Sequence, residues 1–162
     1  MQQVFLGLAA LAIAMLLSLN TRGVTSQTDL ASDETQITLM AANVLGEAFA
    51  EVAMLPYDEV LEADTVAQLT PSAGFGGTTW DAAADMDDLH GATLTQTRVL
   101  DGVPMSFSVS ATVEYVRKSG TAYVPSSTPE AFKRVRLRLA APMGVSVDAR
   151  RVFAWHGLQV GA

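Results

Sequence analysis

The densest cluster of chemically competent side chains is Asp81, Asp85, Asp87, Asp88 and His90. Oxygen-rich clusters of this kind can hold calcium. The calcium-loop pattern Asp-x-Asp/Asn-x-Asp/Asn-Gly is absent. A solvated acidic loop is therefore the first reading and a calcium site the second. The sequence has 2 histidines, His90 and His156. Either could act as a general base. No serine sits in a Gly-x-Ser-x-Gly setting, however, and no His-Glu-x-x-His occurs, so both read as non-catalytic. Gly74-Phe75-Gly76-Gly77 does not follow a strand with phosphate-loop spacing, which argues against a nucleotide site. Trp80 and Trp155 read as core or interface aromatics. With 0 cysteines, disulfides, thiolate metal sites and cysteine nucleophiles are excluded. The expectation is a non-enzymatic chain with no catalytic residues, no cofactor, no metal and no small-molecule substrate.

Charge and composition narrow the class further. The 162 residues carry a formal net charge of -7, and only 17% are charged against 49% hydrophobic. An acidic chain repels nucleic acid, and no basic stripe with interleaved aromatics is present. Arg134, Arg136 and Arg138 alternate along one strand face, and Arg150 and Arg151 are adjacent. A solvated strand face is the first reading; a docking surface for acidic groups on a neighbouring copy is the second.

These residues must be positioned by elements that the hydrophobic pattern predicts. From Val4 to Leu19 the only polar residue is Ser18, in the run VFLGLAALAIAMLLSL. A helix of roughly 20 apolar residues spans a bilayer, and about 17 can suffice. No Lys or Arg precedes the run, and the segment after it is a poor cleavage site for a secretory signal. The run is expected to be a membrane or filament-core helix over residues 1–23, with Val4, Phe5, Leu6, Leu8, Leu11, Ile13, Met15, Leu16, Leu17 and Leu19 as its apolar surface. A second pattern covers residues 24–56. Leu30, Ile37, Ala41, Val44, Ala48, Val52 and Leu55 recur at spacings of three, four or seven, one stripe of a helix. Ile37, Ala41, Val44, Ala48, Val52 and Leu55 are assigned to packing on a sheet. Pro56 should stop the helix. A continuous helix from about residue 3 to 55 would be about 80 Å long.

Residues 57–92 read as irregular, with a short helical piece around Glu59 to Leu69 conceivable. From residue 93 the period becomes two. Met105, Phe107, Val109, Ala111, Val113 and Tyr115 alternate with Ser106, Ser108, Ser110, Thr112 and Glu114, apolar inward and polar outward. Asp101-Gly102 between extended segments signals a hairpin. Val135, Leu137, Leu139 and Ala141 form a second alternating run. Pro142-Met143-Gly144 turns the chain into a last strand, with a bulge expected near Arg150. The prediction is about four antiparallel strands in two hairpins over residues 93–162. Lys118 to Glu130 is expected to be an exposed loop. The fold class is α+β: a long N-terminal helix whose apolar stripe covers the apolar face of a small antiparallel sheet.

This plan and several strings resemble type IV pilin-like proteins, especially minor pilins of the MSHA class. The strings are VFLGLAALAIAMLLSL, LMAANVLGEAFAEVAMLPYDE, DMDDLHGATLTQ, MSFSVSATVEYV and FKRVRLRLAAPMGVSVDARRVF. Their order across most of the chain carries the likeness; no single string is specific. In such proteins the N-terminal helix is held in the inner membrane and later packs in the core of a helical filament. The resemblance implies that role for residues 1–55 here, with the head displayed outside. Two departures stand out. These proteins usually carry a glutamate at the fifth mature position, where Phe5 stands if Met1 is the mature first residue. Their precursors also carry a short basic leader ending in glycine; none is visible here, so either it was already removed or Met1 is the initiator and the subunit is processed differently.

The expected function is therefore a structural subunit of an extracellular, pilus-like filament, a homo-oligomer whose copies reside in the inner membrane before assembly. The alternative is a single-pass membrane-anchored minor pilin or pseudopilin-like component of a secretion machine that forms no bulk filament. An enzyme or ligand-binding module is the third reading.

Overall fold

The computed structural model describes residues 32–58 and 65–155. The chain divides into two compact units, Met1–Ile37 and Thr38–Ala162. The first unit is described only at residues 32–37. The expected filament-core positions Val4, Phe5, Leu6, Leu8, Leu11, Ile13, Met15, Leu16, Leu17 and Leu19 lie outside the described residues, as do Leu30 and His156.

Helix α1 spans Ser32–Met54. Ala41, Val44, Ala48 and Val52 are fully buried, as the spacing requires, and so is Ile37. The stripe is wider than the sequence reading, because Leu45 and Phe49 are buried as well. α1 packs on an antiparallel sheet, giving the α+β class expected. Leu55 falls just past the helix end and is half-buried, with its N–H donating to Val52 O at 3.2 Å. Pro56, which has no amide hydrogen to offer, follows the stop. A short 3₁₀ turn at Val66–Gln68 lies within the stretch where a helical piece was conceivable.

The sheet has five strands: β1 Thr93–Leu100, β2 Val103–Ser119, β3 Ala122–Pro125, β4 Phe132–Ala140 and β5 Ser146–Ala154. Their order is β1-β2-β4-β5, with β3 paired to the C-terminal end of β2. The β1–β2 hairpin closes at Leu100↔Val103 around Asp101 and Gly102. Both turn residues have positive φ, 50° and 82°, the geometry of a tight hairpin turn that matches strand twist. In β2, Phe107, Val109, Ala111, Val113 and Tyr115 are all buried, and β4 sets Val135, Leu137 and Leu139 beside them. The register pairs Val113 with Val135, Ala111 with Leu137 and Val109 with Leu139. Burial of each large apolar side chain here contributes about 1.5–3 kcal/mol.

Two sequence expectations are corrected. The span Lys118–Glu130 is not a simple loop: β2 runs to Ser119, and β3 turns back on it, with Ser119 opposite Ala122. No bulge occurs near Arg150 either, because β4 and β5 pair without interruption from Phe132↔Ala154 to Ala140↔Ser146. Alternation therefore continues through Arg151, whose guanidinium lies 4.8 Å over the Phe49 ring of α1. The cation's flat face substitutes there for an apolar side chain.

Candidate functional site

Lys133 occupies the inward register of β4, in line with Val135, Leu137 and Leu139, and its side chain is 0% exposed. An ammonium so placed must be satisfied by the protein. Three acceptors meet it. Nζ donates to Asp87 Oδ1 at 2.8 Å, to Asp58 Oδ2 at 3.1 Å and to the Tyr57 carbonyl at 2.5 Å. Both carboxylates are almost completely buried, at 2% and 4% exposure. Around the ammonium stand the rings of Tyr57, Phe75 and Tyr115, with centroids 4.4, 5.3 and 5.4 Å away.

Each acidic group is held by its own segment. Asp58, four residues beyond the end of α1, accepts from Thr70 N–H through Oδ2 and from Thr70 Oγ1 through Oδ1, both at 3.0 Å. Thr70 is itself fixed by Tyr115, whose hydroxyl donates to the Thr70 carbonyl at 2.8 Å. Asp85 organises the turn before β1: its Oδ1 accepts from the N–H of Asp87 at 3.0 Å and of Asp88 at 3.2 Å. Asp88 Oδ2 accepts from Ala84 N–H at 2.8 Å. The turn is tied inward by Gly76 N–H donating to Asp87 O at 2.9 Å and by Met86 N–H donating to Pro56 O at 3.1 Å. Gly76 has φ +82°, and a Cβ there would come within 2.3 Å of the His90 carbonyl, so only glycine fits.

The electrostatics follow from the burial. Desolvation raises the Asp87 carboxyl to about 7; the neighbouring Asp85 carboxyl adds to the rise and Lys133 opposes it. The phenols of Tyr57 and Tyr115 are pushed well above their ordinary value, first by burial, then for Tyr57 by the Tyr115 phenol, and for both by Asp58 and Asp87.

The sequence-derived acidic cluster is thus divided. Asp85 and Asp87 turn inward, Asp88 caps the turn, and Asp81 is exposed. Asp58 and Lys133, absent from the sequence reading, complete the inward group. The carboxylate oxygens of Asp58, Asp85 and Asp87 lie within 4.8 Å of one another. A lysine ammonium supplies the positive charge among them. His90 is drawn onto the backbone of β2, its Nδ1 lying 2.8 Å from the Val113 carbonyl and 3.1 Å from the Val113 nitrogen. Phe75, flanked by Gly74 and Gly76, packs on Tyr115 with centroids 5.0 Å apart. Trp80 is buried, and Trp155 packs on the Leu69–Tyr115 cluster.

The arginine row is mostly neutralised within the sheet. Arg134 pairs with Glu114 at 2.7 Å and Arg136 with Asp148 at 2.6 Å. Arg136 and Asp148 stabilise each other's charged forms, which lowers the Asp148 carboxyl. Arg98 of β1 pairs with Glu47 of α1.

No family model, characterised protein or solved structure matches this chain.

Proposed function

We propose that the chain is a structural subunit of a pilus-like filament, anchored in the inner membrane before assembly and displayed at the cell surface afterwards. The observation that carries this reading is the outward face of α1. One stripe of the helix is buried, yet the opposite face is not uniformly polar. Leu39 and Met54 are 62% and 78% exposed, and Ala42, Gly46, Ala50 and Ala53 lie between them in the exposed positions. A helix apolar on one side covers a sheet; one that is also apolar and small-featured on the other suits close approach of a second helix.

By length and composition α1 is apolar enough to cross a membrane. Its inner stripe is already used on the sheet, and it carries Asp33, Glu34, Glu47 and Glu51. The anchoring role therefore falls to the uncharged Val4–Leu19 run. Relative to lipid, helix association gains little from hydrophobicity and depends on packing shape, so the small residues Gly7, Ala9, Ala10, Ala12 and Ala14 matter. The chain's own residues supply assembly, not turnover. The second reading, a membrane-anchored minor pilin or pseudopilin-like component without bulk filaments, rests on the same run.

The test is electron microscopy of the purified protein beside Ala12→Asp. Filaments from the parent and none from the variant, with the head's circular dichroism unchanged, support the filament. A membrane-extracted monomer in both selects the second reading, and normal filaments from Ala12→Asp overturn helix-core packing.

A further inference from the structure

The buried lysine is surrounded as if for a reaction rather than only for an ion pair. One ammonium meets two carboxyl groups within hydrogen-bond distance, inside an aromatic box closed to water. The two carboxyl groups differ. Asp58 receives two hydrogen bonds from Thr70, which favour its charged form. Asp87 has the Asp85 carboxyl within 4.8 Å and is deeply buried, which favours its neutral form. A neutral carboxyl is an electrophile, and a charged one is a base.

We propose that Lys133 and Asp87 condense into an intramolecular amide, with Asp58 as the proton-transferring group, so that β4 becomes covalently strapped to the turn preceding β1. The carbon to be attacked is one bond from the Asp87 oxygen that already lies 2.8 Å from Nζ. Asp58 removes a proton from the ammonium, and the freed amine adds to the Asp87 carboxyl carbon. The tetrahedral adduct collapses as the Asp87 hydroxyl, taking a second proton from the nitrogen by way of Asp58, leaves as water. One N–C bond forms and one C–O bond breaks. Of the three ammonium protons, one remains on the amide, one leaves in water and one stays on Asp58. No oxidant or reductant is needed. Tyr57, Phe75 and Tyr115 exclude bulk water, and this disfavours the reverse hydrolysis.

The driving force is physical. Two buried charges are expensive even when paired, because removing them from water offsets most of their attraction. The amide abolishes both charges and keeps the contact. It would also close a loop between residues 46 positions apart in a chain with 0 cysteines, restricting the unfolded state as a disulfide does. Holding together a head displayed outside the cell is one use for such a strap, but the chemistry does not depend on filament assembly.

The test is the intact mass of the purified, denatured full chain beside that of Lys133→Met, which removes any uncertainty from N-terminal processing. Beyond the substitution itself, the parent should be lighter by one water. Peptide mapping should give a branched species joining the Asp87 peptide to the Lys133 peptide, with no tryptic cleavage after Lys133. Asp87→Asn should instead lose one ammonia relative to its own sequence, since the same attack then expels an amide nitrogen. Asp58→Asn should fold by circular dichroism yet keep its full mass. A folded parent chain with its full mass and a free Lys133 overturns the proposal, and so does a branch at Asp58 in place of Asp87.

Discussion

The indole nitrogen of Trp80 donates a hydrogen bond to Glu51 Oε2 at 2.8 Å, tying the segment before β1 to the last turns of α1. Trp80 is itself buried, so its N–H has little access to water if Glu51 is removed. Glu51→Ala should therefore destabilise the head by about 1 kcal/mol, since a lone indole donor loses its partner. Trp80→Phe removes the donor together with part of the packing and should cost more, about 1–3 kcal/mol. The double variant should cost less than the sum of the two. Thermal unfolding of the four proteins forms a double-mutant cycle, and full additivity would show that the bond contributes nothing.

Asp87 sets a pH dependence that depends on its chemical state. Its carboxyl titrates near 7 in the folded chain, above its ordinary value of 3.8, because burial and Asp85 oppose ionisation. Between those values the native state binds more protons than the unfolded state. Its contribution is thus complete below pH 3.8 and is lost as pH rises toward 7. In Asp58→Asn, where Asp87 should remain a free carboxyl, stability is expected to fall across this window. In the parent, with the carboxyl consumed in an amide, the same window should be flat. Denaturant midpoints of both proteins measured from pH 4 to 8 separate the two behaviours. A parallel fall in both would mean that Asp87 titrates in the parent.

The strand faces were legible because a half-buried antiparallel sheet imposes period two on its residues. Phe107 to Tyr115 follow it without exception. The lysine site was far less legible. Its acids come from residues 58, 85 and 87 and its base from residue 133, segments brought together only by tertiary packing. One local signal was present: in FKRVRLRLA, Lys133 shares the parity of Val135, Leu137 and Leu139 and not that of the arginines. A charged residue on the apolar parity marks a buried ion pair. Arg151 also stands on the inward parity, but it is exposed and lies over the Phe49 ring, and β5 stays regular where a bulge was expected. β3 was hidden because Ala122–Pro125 is too short to display a period and is flanked by Gly, Ser and Thr.

The outward face of α1 supplies a test of assembly that leaves the head intact. Gly46 is exposed, and a Cβ built on it meets nothing within 4 Å. It lies in a groove with Ala42, Leu45, Phe49, Val147 and Ala149, edged by Arg150 and Arg151. Within one chain, replacing this glycine should be harmless or favourable, because glycine costs a helix about 1 kcal/mol relative to alanine. Gly46→Ala should therefore raise the unfolding temperature slightly. Gly46→Arg should also fold, since its long side chain has room to carry its charge into water away from Arg150 and Arg151. If copies pack helix against helix along this face, a bulky cation at the closest point holds them apart. Filament yield should then fall at least tenfold for Gly46→Arg but remain at the parent level for Gly46→Ala, measured by pelleting and microscopy at equal expression. Full assembly of Gly46→Arg would mean that this face of α1 looks outward in the filament and that the contacts between copies are made elsewhere on the chain.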